Sequence, residues 1–142
     1  MNATVLIVPF VLAVVTEREL TATVGDVSAA YDHRGRLEHV DVRLGYETSH
    51  ETNVGKRRVT YGSPEFRFSV DGDGVARLAR LHSRQTDRSP DDVEGARVAD
   101  VRAIPAAIEV VEGIGDVERV EPVARTVTER IEEIETVEFD AE

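Results

Sequence analysis

Apolar and polar residues alternate regularly over residues 37–46. This period of two is typical of a strand with one buried face and one solvent-exposed face. We therefore predict a strand here, with its apolar side in the core. The apolar positions are Val40, Val42, Leu44 and Tyr46.

Two neighbouring segments show similar alternation. Residues 20–29 are predicted to be extended, with a turn or bulge at Gly25 and Asp26. Residues 57–70 are predicted to form strands that residues 62–64 interrupt. Polar turns are predicted at residues 32–36 and 71–74 because Gly and Asp favour tight turns.

Residues 47–56 form a polar stretch between two of these strands, and we predict an exposed loop there. Residues 75–84 have apolar positions at intervals of three and four, which predicts a short amphipathic helix. Residues 86–95, rich in Ser, Pro and Asp, are predicted to form another loop.

The last third of the chain supports two interpretations. Val, Ile and Thr dominate it, and Pro122 is placed as at a strand edge, which favours strands. Pro105 and Gly113 are placed as at the start and end of a helix, which favours helices. We prefer the β interpretation and keep the helical one as the alternative. The candidate helices are residues 105–112 and 123–134.

The N-terminal apolar run, residues 4–15, is shorter than the about 20 residues that a membrane helix requires. No basic residue precedes it, and Glu17 follows where a signal-peptide cleavage site is expected. We predict one or two strands there and no membrane partner. The alternative is an apolar arm, residues 1–15, that packs on a neighbouring subunit.

The composition indicates one β-rich domain spanning residues 1–142. Lys56 is the only lysine, Asp and Glu outnumber Lys and Arg by 28 to 17, and the formal net charge is -11. Such an acidic, lysine-poor surface is suited to concentrated salt and predicts a halophilic source. It also argues against binding nucleic acid through counterion release, so no sequence-specific nucleic-acid partner is expected.

No motif in the chain predicts a catalytic site. There is no cysteine, no G-x-S-x-G elbow and no glycine-rich phosphate loop. Residues 71–74 (Asp-Gly-Asp-Gly) resemble the start of a calcium loop, but the later ligand positions are apolar, so a plain turn is preferred. We predict no catalytic, cofactor or metal residue, and we expect a protein that is not an enzyme. The histidines, which lack metal-site spacing, are His33, His39, His50 and His82.

The order of segments resembles the tail-tube proteins of long-tailed viruses over about half of the chain. The resemblance comprises the strand at 37–46, the loop at 47–55, the Gly-Lys-Arg-Arg-Val-Thr-Tyr-Gly segment at 55–62 and the strand at 64–70. It continues with the helix at 75–84 and a closing strand at 134–141.

The resemblance implies a mainly β (α+β) fold, a β-sandwich or half-barrel with one short helix. It further implies a homo-oligomeric ring, rings stacked into a tube for genome passage, and contacts with other virion tail proteins. The protein would lie in the virion after assembly in the host cytoplasm at high salt. The predicted oligomer interface is Thr48, Ser49, His50, Glu51, Thr52, Asn53, Val54, Gly55 and Lys56.

A second hypothesis belongs to a different class of protein. The helical interpretation of the last third predicts a small cytoplasmic α+β binding or regulatory domain of a halophile. Helices at residues 105–112 and 123–134 would distinguish this hypothesis from the purely β-rich one.

Overall fold

The computed structural model describes residues 3–7, 15–17, 20–51, 55–123, 125 and 127–129. The described residues are mainly β, and their mixed sheet curls into a half-barrel. The predicted fold class, a mainly β half-barrel, is therefore confirmed.

The strands are β1 (Ala3–Ile7), β2 (Val15–Glu17), β3 (Leu20–Tyr31), β4 (Leu37–Glu51), β5 (Arg57–Gly62), β6 (Glu65–Val70), β7 (Val75–Ser83), β8 (Thr86–Arg88) and β9 (Arg119–Val120). The helices are a 3₁₀ helix (Pro90–Gly95), α1 (Val98–Arg102) and α2 (Ile104–Glu112).

The sheet is built around the long strand β4. Its main strand order is β1-β3-β4-β6-β7-β8, with β2 beside β3 and β5 beside β4. These pairs are antiparallel, and β9 adds a short parallel pair to β7. On one side of β4, residues 39–43 pair with β6 and residues 46–51 pair with β5. Within the described residues, β5 therefore pairs with β4 alone.

Gly25 forms a bulge in β3, which confirms the predicted turn or bulge. Val24 lies opposite Leu44 and Asp26 lies opposite Arg43, so Gly25 is the extra residue. A Cβ atom at Gly25 would lie 3.3 Å from the carbonyl oxygen of Arg43. Because one residue is added, the apolar residues before and after the bulge face the same side of the sheet.

The helix predicted at residues 75–84 is wrong, because this segment is strand β7. A second bulge explains the misleading pattern. Leu78 lies opposite Phe68 and Leu81 lies opposite Phe66, while Ala79 is the extra residue between them. Two leucines three residues apart thus share one face of a strand, as they would share one face of a helix.

The β interpretation is also wrong for residues 98–112, which form α1 and α2. Pro105 lies in the first turn of α2 and Gly113 caps its C-terminus, as the alternative predicted. Residues 125 and 127–129 are helical as well. Residue 123 is described and is not helical, whereas residues 124, 126 and 130–134 of this candidate helix lie outside the described residues. The closing strand predicted at 134–141 also lies outside them.

The loop predicted at residues 47–56 is shorter in the structure. Residues 47–51 continue strand β4 and pair with β5, so a strand without large apolar residues was mistaken for a loop. Gly55, with φ of 79°, lies in the connection to β5. The loop predicted at residues 86–95 instead contains β8 and the 3₁₀ helix.

The N-terminal run enters the sheet within the chain itself. Both β1 and β2 pair with β3, which confirms the strand prediction for these segments, whereas packing of this run on a neighbouring subunit stays a prediction. Residues 1, 2 and 8–14 of the predicted arm lie outside the described residues.

Helix α2 packs on the buried face of the sheet. Phe66 and Phe68 of β6 are fully buried in one cluster with Ile104 and Val111 of α2. Each such side chain contributes about 1.5–3 kcal/mol on burial. The other face of the sheet is polar. There the guanidinium of Arg67 donates two hydrogen bonds to the carboxylate of Asp41, at 2.7 and 2.9 Å.

Candidate functional site

The β5 edge, defined here as the free side of Arg57–Gly62, carries exposed apolar residues. The side chains of Val59 and Tyr61 alternate along it and are 38% and 69% exposed. A strand edge without a partner presents backbone donors and acceptors to other strands. Together these features make the β5 edge a candidate docking surface.

The predicted interface residues surround this edge without forming one exposed loop. Thr48, His50 and Glu51 belong to β4, and the buried Ser49 lies opposite Val59. Gly55 and Lys56 are exposed before β5, whereas Thr52, Asn53 and Val54 lie outside the described residues. Contact of these residues with another subunit stays a prediction. Val59 and Tyr61 were not among the predicted interface residues, although their alternation with polar residues is visible in the sequence.

A cleft of about 400 Å³ lies close to the β5 edge, between the β7–β8 turn and α1. We call it the arginine cleft, because Arg84, Arg88 and Arg97 contribute to its lining. Asp100 of α1 also lines it, and its side chain is almost entirely buried. The cleft thus contains three arginines and one aspartate, in a chain whose net charge is -11.

The three arginines differ in their contacts. Nη1 of Arg88 donates to Oδ2 of Asp92 at 3.4 Å, and its guanidinium lies over Gly95. Nη1 of Arg97 donates to the carbonyl oxygen of Tyr61 at 3.4 Å, which links the cleft to the β5 edge. Arg84 makes no hydrogen bond or ion pair within the described residues. Its guanidinium is therefore available to an anion.

Arg84 is held at the cleft by an unusual turn. Ser83 of β7 pairs with Thr86 of β8, so Arg84 and Gln85 form a two-residue hairpin loop. Their φ angles are 53° and 68°, in the left-handed region that Asn and Gly usually occupy in such turns. This turn could not be predicted from the sequence, because Arg and Gln are not the residues that usually form two-residue hairpin loops.

Two buried polar atoms, one on a lining residue of the cleft and one on a neighbouring strand residue, have no hydrogen-bond partner within the described residues. They are Oδ1 of Asp100, whose residue is 1% exposed, and the hydroxyl of Tyr46. Burial, followed by the nearby Asp100 carboxylate, strongly raises the pKa of Tyr46, while Arg97 and Arg84 act in the opposite direction. The phenol is therefore neutral, and the carboxylate, phenol and guanidinium groups lie within electrostatic range of one another.

A second cleft, of about 420 Å³, lies at the acidic end of the sheet, where the predicted turns at 32–36 and 71–74 are confirmed. The carboxylates of Asp71 and Asp32 in this cleft accept hydrogen bonds from backbone N–H groups. Oδ1 of Asp71 accepts hydrogen bonds from the N–H groups of Asp73 and Val75, at 2.9 and 3.1 Å. Asp32 accepts similarly from Arg34 and Arg36, at 2.8 and 3.0 Å. These bonds lower the pKa of Asp71 and of Asp32.

In the part of the chain that the structure describes, no group of three or more His, Asp or Glu residues is arranged to hold a metal ion. None of the helices described is long and apolar enough to cross a membrane. Of the histidines, His82 places Nδ1 2.6 Å from Oδ1 of Asp87 on the solvent-exposed side of β7.

Comparisons with protein-family models, with curated proteins and with solved structures give no match to this chain. The sites described above are therefore interpreted from their own geometry.

Proposed function

We propose that this protein is a structural protein that assembles with copies of itself through the β5 edge. One observation carries the proposal: Val59 and Tyr61 are exposed on a strand that pairs on only one side within the described residues. A second strand placed there would cover both side chains and pair with backbone groups of the edge other than the carbonyl of Tyr61, which accepts a hydrogen bond from Arg97.

The polar face of the sheet favours edge pairing over stacking of faces. Arg67 and Asp41 pair there, and Nη1 of Arg43 lies 3.3 Å from Oδ2 of Asp26. Stacking another sheet on this face would remove these charges from water, which is costly when charges are only partly compensated. Pairing along β5 leaves them solvated.

The finer proposal is a virion tail component of a virus with a halophilic host. Pairing of the β5 edge with a different edge of the next copy would be heterologous, and such contacts close into rings when the rotation allows. Stacked rings would form a conduit for the genome, with an acidic wall that repels DNA phosphates. The strands at Leu37–Glu51, Arg57–Gly62 and Glu65–Val70 and the net charge of -11 support this proposal.

Light scattering coupled to size-exclusion chromatography in molar salt tests the assembly. We expect the mass to increase with protein concentration for the wild-type chain. Val59→Lys places a charge on the β5 edge and is expected to shift the protein to monomer. Val98→Lys is the matched control, because Val98 is also 38% exposed but lies on α1.

A wild-type chain that stays monomeric at every concentration would overturn the proposal. Equal loss of assembly in Val59→Lys and Val98→Lys would also contradict it, because a specific edge would not be responsible. A closed dimer would support edge pairing and reject the tube, whereas rings seen by negative-stain electron microscopy would support the tube.

A second candidate function is a small α+β binding domain. Helix α1 in the last third of the chain favours it, because Asp100 of α1 lines the arginine cleft beside the sheet. Assembly and ligand binding are separate properties, so each has its own experiment.

A further inference from the structure

We propose that the arginine cleft binds a small zwitterion, a molecule with a phosphate or carboxylate at one end and a protonated amine at the other. Arg84 and Arg97 would bind the anionic group, and Asp100 would bind the amine. The inference specifies the ligand for the second candidate function and does not depend on assembly through the β5 edge.

The anionic end of the ligand is inferred from the guanidinium groups of Arg84 and Arg97. Arg84 has no hydrogen bond or ion pair within the described residues, and Arg97 makes one bond of 3.4 Å to a backbone oxygen. Asp and Glu outnumber Lys and Arg by 28 to 17, so carboxylate partners are abundant in the chain. Guanidinium groups bind phosphate and carboxylate through paired hydrogen bonds, which suits these two side chains.

The amine end is inferred from the buried carboxylate. Asp100 is 1% exposed, and its Oδ1 has no partner within the described residues. An unsatisfied buried polar atom is destabilising by about 1–3 kcal/mol, and more when it is charged. An ammonium group would satisfy Oδ1 with a charge-assisted hydrogen bond.

The size and construction of the cleft are consistent with such a ligand. Its volume of about 400 Å³ lies within the range of small-molecule pockets. Arg84 is presented from a strained two-residue loop, and strain of this kind is often retained where a side chain has a function. The loop supports the inference, which rests on the unpartnered Oδ1 of Asp100 and on the guanidinium groups of Arg84 and Arg97 in the same cleft.

Isothermal titration calorimetry with O-phosphoethanolamine tests the inference. Inorganic phosphate and ethanolamine serve as the matched single-charge probes. We expect phosphoethanolamine to bind about tenfold more tightly than either probe, because only it satisfies both ends of the cleft. Equal affinity for phosphate and phosphoethanolamine would overturn the zwitterion, and no measurable binding would overturn the site.

Variants assign the two ends of the ligand. Arg84→Gln is expected to weaken both phosphate and phosphoethanolamine by about tenfold. Asp100→Asn is expected to weaken phosphoethanolamine by a similar factor and to leave phosphate binding unchanged or improved. Arg125→Gln is the control, since Arg125 is 91% exposed and pairs with Glu129 away from the cleft lining. Unchanged affinity in Asp100→Asn would contradict the role of the carboxylate.

A measurement on the wild-type chain keeps the inference testable if Asp100→Asn fails to fold. The Nε–H resonances of Arg84 and Arg97 can be followed by nuclear magnetic resonance during titration with phosphoethanolamine. We expect both resonances to shift while that of Arg125 stays in place. Resonances of Arg84 and Arg97 that do not move would overturn the site.

Discussion

Tyr46 of β4 lies directly opposite Gly62 of β5, and its aromatic ring occupies the space that a side chain at position 62 would need. A Cβ atom built on Gly62 would overlap the Cζ and hydroxyl oxygen of Tyr46. Because Tyr46 is also buried beside Asp100, its ring has little freedom to move. Because Gly62 has no side chain, the phenol ring of Tyr46 can pack against the backbone of β5 while it lies next to Asp100 of the arginine cleft.

Replacing Gly62 by Ala is therefore expected to destabilise the protein by about 1–3 kcal/mol, the usual result of overfilling a packed site. Denaturant unfolding in molar salt measures the change. Gly72→Ala is the control, because a Cβ atom there meets nothing within 4 Å. Similar losses in the two variants would contradict the close contact between Tyr46 and Gly62.

Gln85→Gly is expected to stabilise the protein by about 1 kcal/mol. Gln85 has φ of 68°, a region that disfavours side chains with a Cβ atom and that Gly adopts freely. Thermal unfolding measures the gain. Gln85→Ala truncates the same side chain but keeps the Cβ atom, so we expect no comparable gain from it. A stabilising Ala variant would show that the long side chain, and not the backbone, is the source of strain.

Regular alternation allowed part of the fold to be predicted from the sequence. Val40, Val42 and Leu44 are buried on one face of β4, as their spacing indicates. The bulge at Ala79 could not be predicted from the sequence. It places Leu78 and Leu81, three residues apart, on the same face of β7, and this is also the spacing of residues on one face of a helix. Periodicity alone cannot distinguish a bulged strand from a helix in this segment, because the difference lies in the pairing of β7 with β6.

Local signals and composition conflicted in the last third. Val, Ile and Thr favoured strands, but Pro105 and Gly113 marked the ends of α2 correctly. The end signals were the better guide because they act on the backbone directly, whereas β-branched residues are tolerated in a helix that packs on a sheet. For such a segment, the packing of its apolar stripe outweighs intrinsic propensity.

The candidate site was not predictable from spacing. Tyr46, Arg84 and Asp100 lie far apart in the sequence, and the fold brings them within electrostatic range of one another. In a chain with 28 acidic residues, one more Asp carries no signal. Only its burial, and the lack of a partner for Oδ1 in the described residues, distinguishes Asp100.

Ile104→Ala tests the packing of α2 on the sheet. Ile104 is fully buried in the main core cluster, so its truncation is expected to cost about 2–5 kcal/mol. Ile108→Ala on the same helix is the control, because Ile108 is only partly buried against this cluster. Denaturant midpoints compare the two variants. A larger loss for Ile108→Ala would contradict the observed orientation of α2.

The carboxylate of Asp71 in the turn at residues 71–74 is expected to make the free energy of unfolding depend on pH in the acidic range. Hydrogen bonds from the N–H groups of Val75 and Asp73 to its carboxylate lower the pKa of Asp71 below the ordinary value of 3.8. Because the pKa is lower in the folded state, this contribution to stability is complete above the unfolded value. It decreases as the pH falls below 3.8 and is lost as the pH passes through the folded pKa.

Asp71→Asn keeps an oxygen acceptor for these backbone bonds but does not titrate. We therefore expect the stability of the variant to fall less steeply than that of the wild type as the pH decreases below about 4. Denaturant midpoints measured across this pH range test the difference. Asp73→Asn is the matched control, because it removes the same charge from the same turn, and no side-chain hydrogen bond or ion pair of Asp73 occurs within the described residues. If both variants flatten the acid dependence equally, the cause is the total charge of the acidic cleft and not the hydrogen bonds to Asp71.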